Sequence, residues 1–244
     1  MRPLRVLLMQ ARNGDDPMAA HELECVRRRL MGTLAQVVQR NAVTHPAEVT
    51  WLDGVDALFI GGSGDYSVHH PNSQHFVGPM RRVLEAALVR EMPGFGLCFG
   101  HQLLGLHLGA KVETDPNCEE VGTVDLRLTP AGRDCPLFED FPDPFPCHTG
   151  HSDHVVEAPE GVEVLVTGDR APCQAFQVRG ARFYSTQFHP DLTGAQARER
   201  YMAYRDKLDG HAAREAETRA NQFDMAQDQG SQLLGLFANY LISR

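Results

Sequence analysis

The stretch GLCFGHQLLG, residues 96–105, sets one cysteine between two glycines. The short apolar segment GFGL (94–97) predicts a buried strand that ends at Cys98, and the apolar spacing that follows predicts a helix over 101–108. The five residues from Gly96 fit G-x-C-x-G, the cysteine form of the nucleophile elbow. In such a turn the nucleophile protrudes, and the glycines let neighbouring backbone pass close by. A buried structural cysteine is the alternative interpretation, and the rest of the chain has to decide between them.

Outward from this turn, short apolar runs alternate with helical patterns. The predicted strands of the first half are RVLLM (5–9), EVTWL (48–52), ALFI (57–60) and GFGL (94–97), and the predicted helices cover 19–40, 79–91 and 101–108. The second half is rich in strand patterns with short turns, at 121–129, 162–167, 173–178 and 182–188. This order predicts an α/β fold with an open, doubly wound, mostly parallel sheet and added antiparallel strands.

The C-terminal part of the sequence is charged and helical in pattern. We expect a single domain over residues 1–244, with a helical insertion at about 195–230 and a last amphipathic helix at 231–242. The polar character of the insertion is typical of a solvated helical face, and its place in the chain would let it cover the mouth of a site.

Composition excludes several classes of protein. Of the 244 residues, 42% are hydrophobic and 23% are charged, which is typical of soluble globular domains. The net charge of −9 argues against a nucleic-acid or anionic-membrane partner, because both need a basic face. Six cysteines without C-x-x-C pairing indicate neither a disulfide framework nor a zinc site. With no long apolar run and no signal-peptide pattern, we expect a reduced, cytoplasmic protein.

A histidine suited to serve the cysteine lies in STQFHPD, residues 185–191. The strand pattern delivers His189 at a strand end, Pro190 stops the strand, and Asp191 follows within reach of the imidazole. A thiol nucleophile needs a base, and the base needs a group that fixes its tautomer. The alternative is a loop histidine beside a solvated aspartate.

Two further segments have polar groups that are candidates for function. FIGGSGDY (59–66) follows a strand and offers backbone N–H groups for an oxyanion, or else is a plain strand-to-helix turn. The histidines of HSDH (151–154) and of the pair at 69–70 suggest metal binding, but no cysteine or carboxylate cluster stands at ligand spacing. We therefore expect neither a metal nor a cofactor.

Four segments together carry a resemblance to a known family. In chain order they are GGSGD (61–65), GLCFGHQLL (96–104), HSDHV (151–155) and STQFHPD (185–191). They resemble class I glutamine amidotransferase domains, in particular the glutaminase part of GMP synthetase, over about residues 4–193 and the last helix. The resemblance implies a flavodoxin-like, doubly wound sheet. It also implies cofactor-free attack of a cysteine on the γ-amide of L-glutamine or a γ-glutamyl compound, release of ammonia, and hydrolysis of a γ-glutamyl thioester by water.

The same resemblance assigns roles to individual residues. It implies Cys98, His189 and Asp191 as the catalytic set, backbone N–H groups of Gly62 and Phe99 as the oxyanion hole, and Gln102, Ser152 and Asp153 as the binding site for the amino-acid end of glutamine.

This chain departs from the family pattern at several points. The usual acid is Glu where this chain has Asp191, and the usual G-G-P loop is here Gly61-Gly62-Ser63-Gly64. No synthetase domain follows His189, so we expect any synthetase or ammonia acceptor to be a separate protein. The segment at 195–230 is longer than the link that the family usually has there.

The sequence leaves two alternatives to glutamine hydrolysis open. One is a γ-glutamyl peptide hydrolase with a larger substrate, and the other is a non-catalytic or partner-activated regulatory subunit. A cysteine α/β-hydrolase is opposed by the order of the residues, because Asp191 follows His189 by two positions instead of preceding it at a distance.

Overall fold

The computed structural model describes residues 2–204, 210–227 and 229–243. Within these ranges the strands are β1 (Leu4–Gln10), β2 (Ala35–Asn41), β3 (Ala57–Ile60), β4 (Gly94–Leu97), β5 (Val112–Thr114), β6 (Glu120–Leu128), β7 (Phe145–His151), β8 (Asp153–Val155), β9 (Val162–Thr167), β10 (Ala175–Val178) and β11 (Phe183–Thr186). The helices are α1 (Met18–Arg29), α2 (Gln74–Val89), α3 (Phe99–His107), α4 (Pro130–Arg133), α5 (Gly194–Ala203), α6 (Gly210–Ala220) and α7 (Leu233–Ile242).

One large sheet organises the described residues. Its strand order is β2-β1-β3-β4-β11-β10-β9-β6-β7, and a separate pair joins β5 to β8. The pairings from β2 to β11 are parallel, and those from β11 to β7 are antiparallel. This confirms the predicted α/β sheet with added antiparallel strands. Because β4 and β11 are parallel neighbours, their carboxyl ends meet at one edge, where ligands bind in open α/β sheets.

The two faces of the sheet have separate cores, as expected of a doubly wound fold. Alternate residues of β1 point to opposite faces, so Leu8 packs with α1 and α7, whereas Leu7 packs with α2 and α3. Helices therefore cover both sides of the central strands.

The last helix is fixed by an aromatic cluster. The ring centroid of Phe237 lies 5.9 Å from that of Phe59, 5.4 Å from Phe95 and 5.6 Å from Tyr184, so one side chain of α7 bridges β3, β4 and β11. Neither α7 nor another helix in the described ranges combines the length and apolarity needed to span a membrane.

Two elements differ from the sequence prediction. The helix predicted over 19–40 ends at Arg29, because Gly32 turns the chain at φ 87° and the following residues pair with β1 as strand β2. Tertiary pairing thus overrides a helical apolar spacing. The strand predicted at 48–52 is instead a single 3₁₀ turn over Val49–Leu52, closed by hydrogen bonds such as Trp51 N–H to Glu48 O at 2.9 Å.

The predicted helical insertion at 195–230 contains α5 and α6. Residues 205–209 and 228 of that segment lie outside the described residues. A small apolar cluster packs α5 against the body of the domain: Leu192 and Ala197 meet Cys25 of α1, with Phe223 completing the cluster. The first part of the segment is therefore attached to the elements that carry the candidate site.

Replacing Phe237 by Ala should destabilise the fold strongly, because it removes a fully buried ring that three strands share. We expect a loss of about 3–5 kcal/mol in the free energy of unfolding, measured by chemical denaturation. Met31→Ala, at a residue that is 77% exposed, is the control and should stay within about 0.5 kcal/mol of wild type. A small effect of the Phe237 change would contradict this account of how α7 is held.

Candidate active site

Cys98 stands on a strained turn between β4 and α3. Its backbone has φ 49° and ψ −96°, which is unfavourable for a residue with a side chain. A Cβ at Gly96 would lie 2.7 Å from the carbonyl carbon of Gly100, and one at Gly100 would lie 2.4 Å from the carbonyl oxygen of Ile60. Close backbone approach therefore explains both glycines of the G-x-C-x-G pattern.

The groups around the Cys98 thiol come from the residue that follows β11, the strand paired with β4, and from the start of helix α3. The side-chain amide of Gln187 donates a hydrogen bond to Sγ at 3.5 Å. Phe99 is the first residue of α3, where backbone N–H groups have no partner within the helix. This places a potential oxyanion donor directly after the cysteine.

His189 lies beyond the end of β11 and is nearly buried. Its Nδ1 lies 3.0 Å from Oδ1 of Asp191, and its side chain also interacts with Cys98. Burial disfavours the charged ring, but the Asp191 carboxylate outweighs burial and raises the pKa of His189 to about 9. The imidazole thus lies between a carboxylate and a thiol, as expected of a candidate base in a nucleophilic site.

Asp191 is completely buried and contacts a second cation. Its Oδ2 lies 2.8 Å from Nη1 of Arg200, a residue of α5. Burial alone would raise the pKa of Asp191, but Arg200 and His189 outweigh it and hold that pKa well below its usual range. The carboxylate is therefore ionised while fully enclosed.

The glycine loop after β3 lies against this group of residues. A Cβ at Gly62 would approach Cε1 of His189 to 3.1 Å, so the loop borders the imidazole closely. The Gly62 N–H, however, donates to Oε1 of Glu22 at 2.9 Å. The oxyanion role of Gly62 stays a prediction, and it requires this N–H to leave Glu22.

Glu22 is held by a buried cluster at the end of β1. Arg12 donates to both of its carboxylate oxygens, from Nε at 3.1 Å and from Nη2 at 3.0 Å, and Gln10 donates to Oε2 at 2.7 Å. Burial opposes the charge of Glu22, but Arg12 outweighs it and the pKa of Glu22 is lowered.

The residues predicted to bind the amino-acid end of glutamine lie together. Nε2 of Gln102 donates to the carbonyl oxygen of Asp153 at 2.8 Å. The ring of His151 is fixed between the same carbonyl, 3.1 Å from Nδ1, and Oε2 of Glu120, 3.0 Å from Nε2. Ser152 is exposed between His151 and Asp153, beside the carbonyl oxygen that Gln102 and His151 contact.

A cavity of about 620 Å³ joins these groups. Its inner wall includes Cys98, Gln102 and His189, and its outer wall includes Tyr201, Ala216 and Arg219. The helices α5 and α6 therefore form one side of the space in front of the thiol.

The histidines considered for metal binding are dispersed in the structure. His69 and His70 lie on the surface, whereas His154 is buried in the β5–β8 pair. Within the described ranges, His, Cys, Asp and Glu side chains form no group of three or more that could hold a metal ion.

Sequence reasoning missed several residues of the site: Arg12, Glu22, Gln187, Arg200 and Tyr204, the last of which lines the cavity. Two signals were available. Gln187 lies inside the segment that contains His189, and Glu22 shares a helical face with Met18 and Val26, which marks a charge on an apolar face. Arg200 had no such signal, because α5 is polar over most of its length.

Comparison with known proteins identifies the family of this chain. The family model for class-I glutamine amidotransferases matches residues 23–205. The chain therefore belongs to the class-I glutamine amidotransferase family. The match includes α5, so the first part of the predicted insertion lies inside the family region.

Curated relatives include proteins named GMP synthase [glutamine-hydrolyzing]. That of Clostridium novyi (strain NT) is 33% identical over 135 residues, which are 55% of this chain and 24% of that protein. That of Bacillus pumilus (strain SAFR-032) is 36% identical over 124 residues, 50% of this chain and 23% of that protein. The matches thus span about a quarter of these relatives.

Solved structures resemble the whole chain. A glutamine amidotransferase from Thermotoga maritima matches with a TM-score of 0.74 and 21% identity, over 100% of this chain and 98% of that one. A glutamine amidotransferase from Methylobacillus flagellatus matches with a TM-score of 0.72 and 16% identity, over 98% of this chain and 95% of that one. At these identities the likeness establishes the fold.

Cys98 should be the first cysteine to react with a glutamine-like diazo ketone at neutral pH. Burial raises the pKa of Cys25 and of Cys173 to about 12, and burial also raises the pKa of Cys118, Cys135 and Cys147. Because the thiolate is the reactive form, these five should be slow. Peptide mapping by mass spectrometry measures the labelled site, and labelling elsewhere with Cys98 unmodified would refute the assignment.

Asp191→Asn should lower the pKa of His189 from about 9 to 6.5 or below, because burial remains while the carboxylate is lost. NMR titration of the imidazole measures this pKa. The interaction that raises this pKa stabilises the folded state fully below about pH 6.5, and this stabilisation is lost as the pH rises through about 9. The His189-dependent stability difference between wild type and variant should therefore shrink over that interval, and an unchanged His189 titration would show that Asp191 does not govern the ring.

Proposed function

We propose that this chain is a cysteine-dependent amidase that hydrolyses the γ-amide of L-glutamine or of a γ-glutamyl compound and releases ammonia and glutamate. The observation that carries this proposal is the line from Cys98, on its strained turn, through His189 to the buried Asp191. Family membership supports the amide chemistry, and the cavity in front of Cys98 gives a substrate access to the thiol.

The proposed reaction has two halves. Sγ of Cys98, as the thiolate, attacks the γ-carbonyl carbon and forms a tetrahedral oxyanion. Collapse breaks the C–N bond, His189 gives its proton to the leaving nitrogen, and ammonia departs from a γ-glutamyl thioester. Water then attacks the thioester while His189 accepts a proton, and glutamate and free Cys98 are released.

The protonation state of His189 suits the first half. With a pKa of about 9, the ring carries a proton at neutral pH, so the donor for the leaving nitrogen is already in place. Asp191 stabilises the imidazolium and orients it through Nδ1. This leaves the other ring nitrogen for the reacting atoms.

Backbone N–H groups are proposed to bind the negative charge that develops on the substrate oxygen. Phe99 N–H, at the start of α3, is the proposed first donor. Gly62 N–H is the proposed second donor after release from Glu22. Gln102, Ser152 and Asp153 are proposed to hold the amino-acid end of the substrate.

Ammonia and glutamate assays on the purified chain test the proposal. We expect hydrolysis of glutamine, or of another γ-glutamyl amide in a panel, and a fall of kcat by roughly 10³–10⁶-fold in Cys98→Ala. Cys118→Ala is the matched control, since Cys118 lies outside the cavity, and should keep wild-type activity. If no γ-glutamyl compound in the panel is hydrolysed while Cys98 still reacts with the diazo ketone, independent hydrolysis is refuted.

A γ-glutamyl peptide is the second candidate substrate. The cavity of about 620 Å³ falls within the range of about 300–1,000 Å³ typical of sites for larger small molecules. A larger group on the γ-nitrogen would lie against α5 and α6. A kcat/KM for γ-glutamyl dipeptides above that for glutamine would favour this candidate, and the reverse order would favour glutamine.

A partner-dependent glutaminase is favoured by the Gly62–Glu22 hydrogen bond, because one proposed oxyanion donor is engaged in the isolated chain. The proposed partner is a separate synthetase or ammonia acceptor, as the longer GMP synthase relatives suggest. Normal Cys98 labelling with very low kcat would support this form of the proposal.

A further inference from the structure

We infer that Arg200 is a positioning residue for this site: its ion pair with Asp191 holds the carboxylate in place for His189. The inference deepens the proposed function and rests on it for the role of His189. Neither the glycine-framed cysteine nor the F-H-P-D segment includes Arg200, which comes from the helix that follows them.

The two oxygens of Asp191 have separate partners on opposite sides. Oδ1 lies 3.0 Å from Nδ1 of His189, and Oδ2 lies 2.8 Å from Nη1 of Arg200. A carboxylate held at only one oxygen could rotate about its side-chain bonds. The ion pair at the second oxygen opposes this rotation, and it therefore steadies the direction in which the imidazole is held.

Arg200 is itself held firmly. The helix α5 begins at Gly194, and Thr193 and Gln196 form a capping box at its start. Arg200 is buried on the same face as Ala197, and its Nε lies 3.4 Å from Nδ1 of His21. The short, capped path from Asp191 to Arg200 therefore sets the position of the guanidinium.

Arg200 lies closer to Asp191 than to Glu22, the other buried carboxylate near it. Arg12 donates two hydrogen bonds to Glu22, whereas Nη1 of Arg200 lies 3.9 Å from that carboxylate. Arg12 therefore pairs with Glu22, and Arg200 pairs with Asp191.

Titratable and charged groups of α1, of the ends of β1, β4 and β11, and of the α5 region lie around this pair. They are His21, Glu22 and Cys25 of α1, Arg12 after β1, His189 and Cys98 at the ends of β11 and β4, and Glu199 and Tyr204 of the α5 region. Of the cationic groups in this region, His189 and Arg200 are the ones that lie against the Asp191 oxygens.

Loss of Arg200 would act on protonation of Asp191. Burial then raises the pKa of Asp191 with only His189 to oppose it, so the carboxylate takes up a proton at higher pH. A protonated Asp191 no longer stabilises the imidazolium. The acidic limb of the pH–rate profile, where the rate falls with falling pH, should therefore move to higher pH. A purely structural role of Arg200 would not cause this shift.

The test compares Arg200→Met, Arg200→Lys and the control Arg198→Met, which removes an exposed arginine from the same helix. Two readouts are measured: steady-state kinetics on the best γ-glutamyl substrate, and the pH dependence of Cys98 alkylation, which needs no turnover. For Arg200→Met we expect kcat to fall about tenfold or more, KM to change less than about threefold, and both acidic limbs to rise by about one pH unit or more. Arg200→Lys should recover part of the loss, and Arg198→Met should match wild type.

The Asp191→Asn background separates action through Asp191 from other effects. If Arg200 acts through that carboxylate, adding Arg200→Met to Asp191→Asn should change the Cys98 alkylation rate by less than about threefold. The inference would be overturned if the losses of alkylation rate in the two single variants multiplied fully in the double variant. It would also be overturned if folded Arg200→Met kept the acidic limbs of wild type in both pH profiles. Should Arg200→Met fail to fold by circular dichroism, Arg200→Lys decides, with a smaller upward shift expected and no shift overturning the inference.

Failure of the proposed function is distinguishable from failure of this inference. A purified chain that hydrolyses no γ-glutamyl compound contradicts independent hydrolysis. The alkylation profiles of Cys98 in the Arg200 variants still test whether Arg200 holds Asp191 for His189.

Discussion

The pairing of β4 with β11 is the constraint on which the site depends. These strands are distant in sequence but lie side by side and parallel, with Thr186 opposite Leu97 in register, and the Cys98 N–H donates to the carbonyl oxygen of Thr186 at 2.8 Å. The parallel arrangement ends both strands at one edge of the sheet. Cys98 follows one strand and His189 the other, so a backbone ladder brings a thiol and an imidazole together.

Strain at Cys98 is sustained by the packing around it. A residue with a side chain at φ 49° costs about 1–3 kcal/mol, and such a conformation persists only where its surroundings over-determine it. Here the surroundings are close backbone contacts: Gly96 against Gly100, and Gly100 against Ile60. Both strands beneath the turn also pack against Phe237 of α7. The last helix, far away in the chain, therefore supports the turn that presents the thiol.

Buried charge links the site to its outer wall. Glu22, Asp191, Arg12 and Arg200 are enclosed together, and a buried ion is tolerated only when it is paired. The pairing ties α1, the end of β1 and α5 to the residues beside Cys98. Tyr204 extends this connection, since its hydroxyl donates to Asp16 and its ring lies where a side chain on Gly64 would be. Movement of α5 would thus disturb both Asp191 and the glycine loop.

The sequence by itself determined the fold class and the candidate residues that local chemistry marks. The alternation of apolar runs predicted the α/β sheet, G-x-C-x-G predicted the turn at Cys98, and F-H-P-D placed His189 two residues before its acid. These features are local, because each depends on residues a few positions apart.

Tertiary structure decided the remaining features of the fold and the site. Residues 35–41 form a strand because β1 is available to pair with them, although their apolar spacing fits a helix. Glu22 reaches the Gly62 N–H across 40 positions of sequence, and Arg200 contacts Asp191 only because α5 folds back over the sheet edge. No motif marks either contact. The charge of Glu22 on an apolar helix face indicates burial but not its partner. Arg200 lies on a mostly polar helix, where an arginine is solvated by default, and it joins the site only because folding buries it beside Asp191.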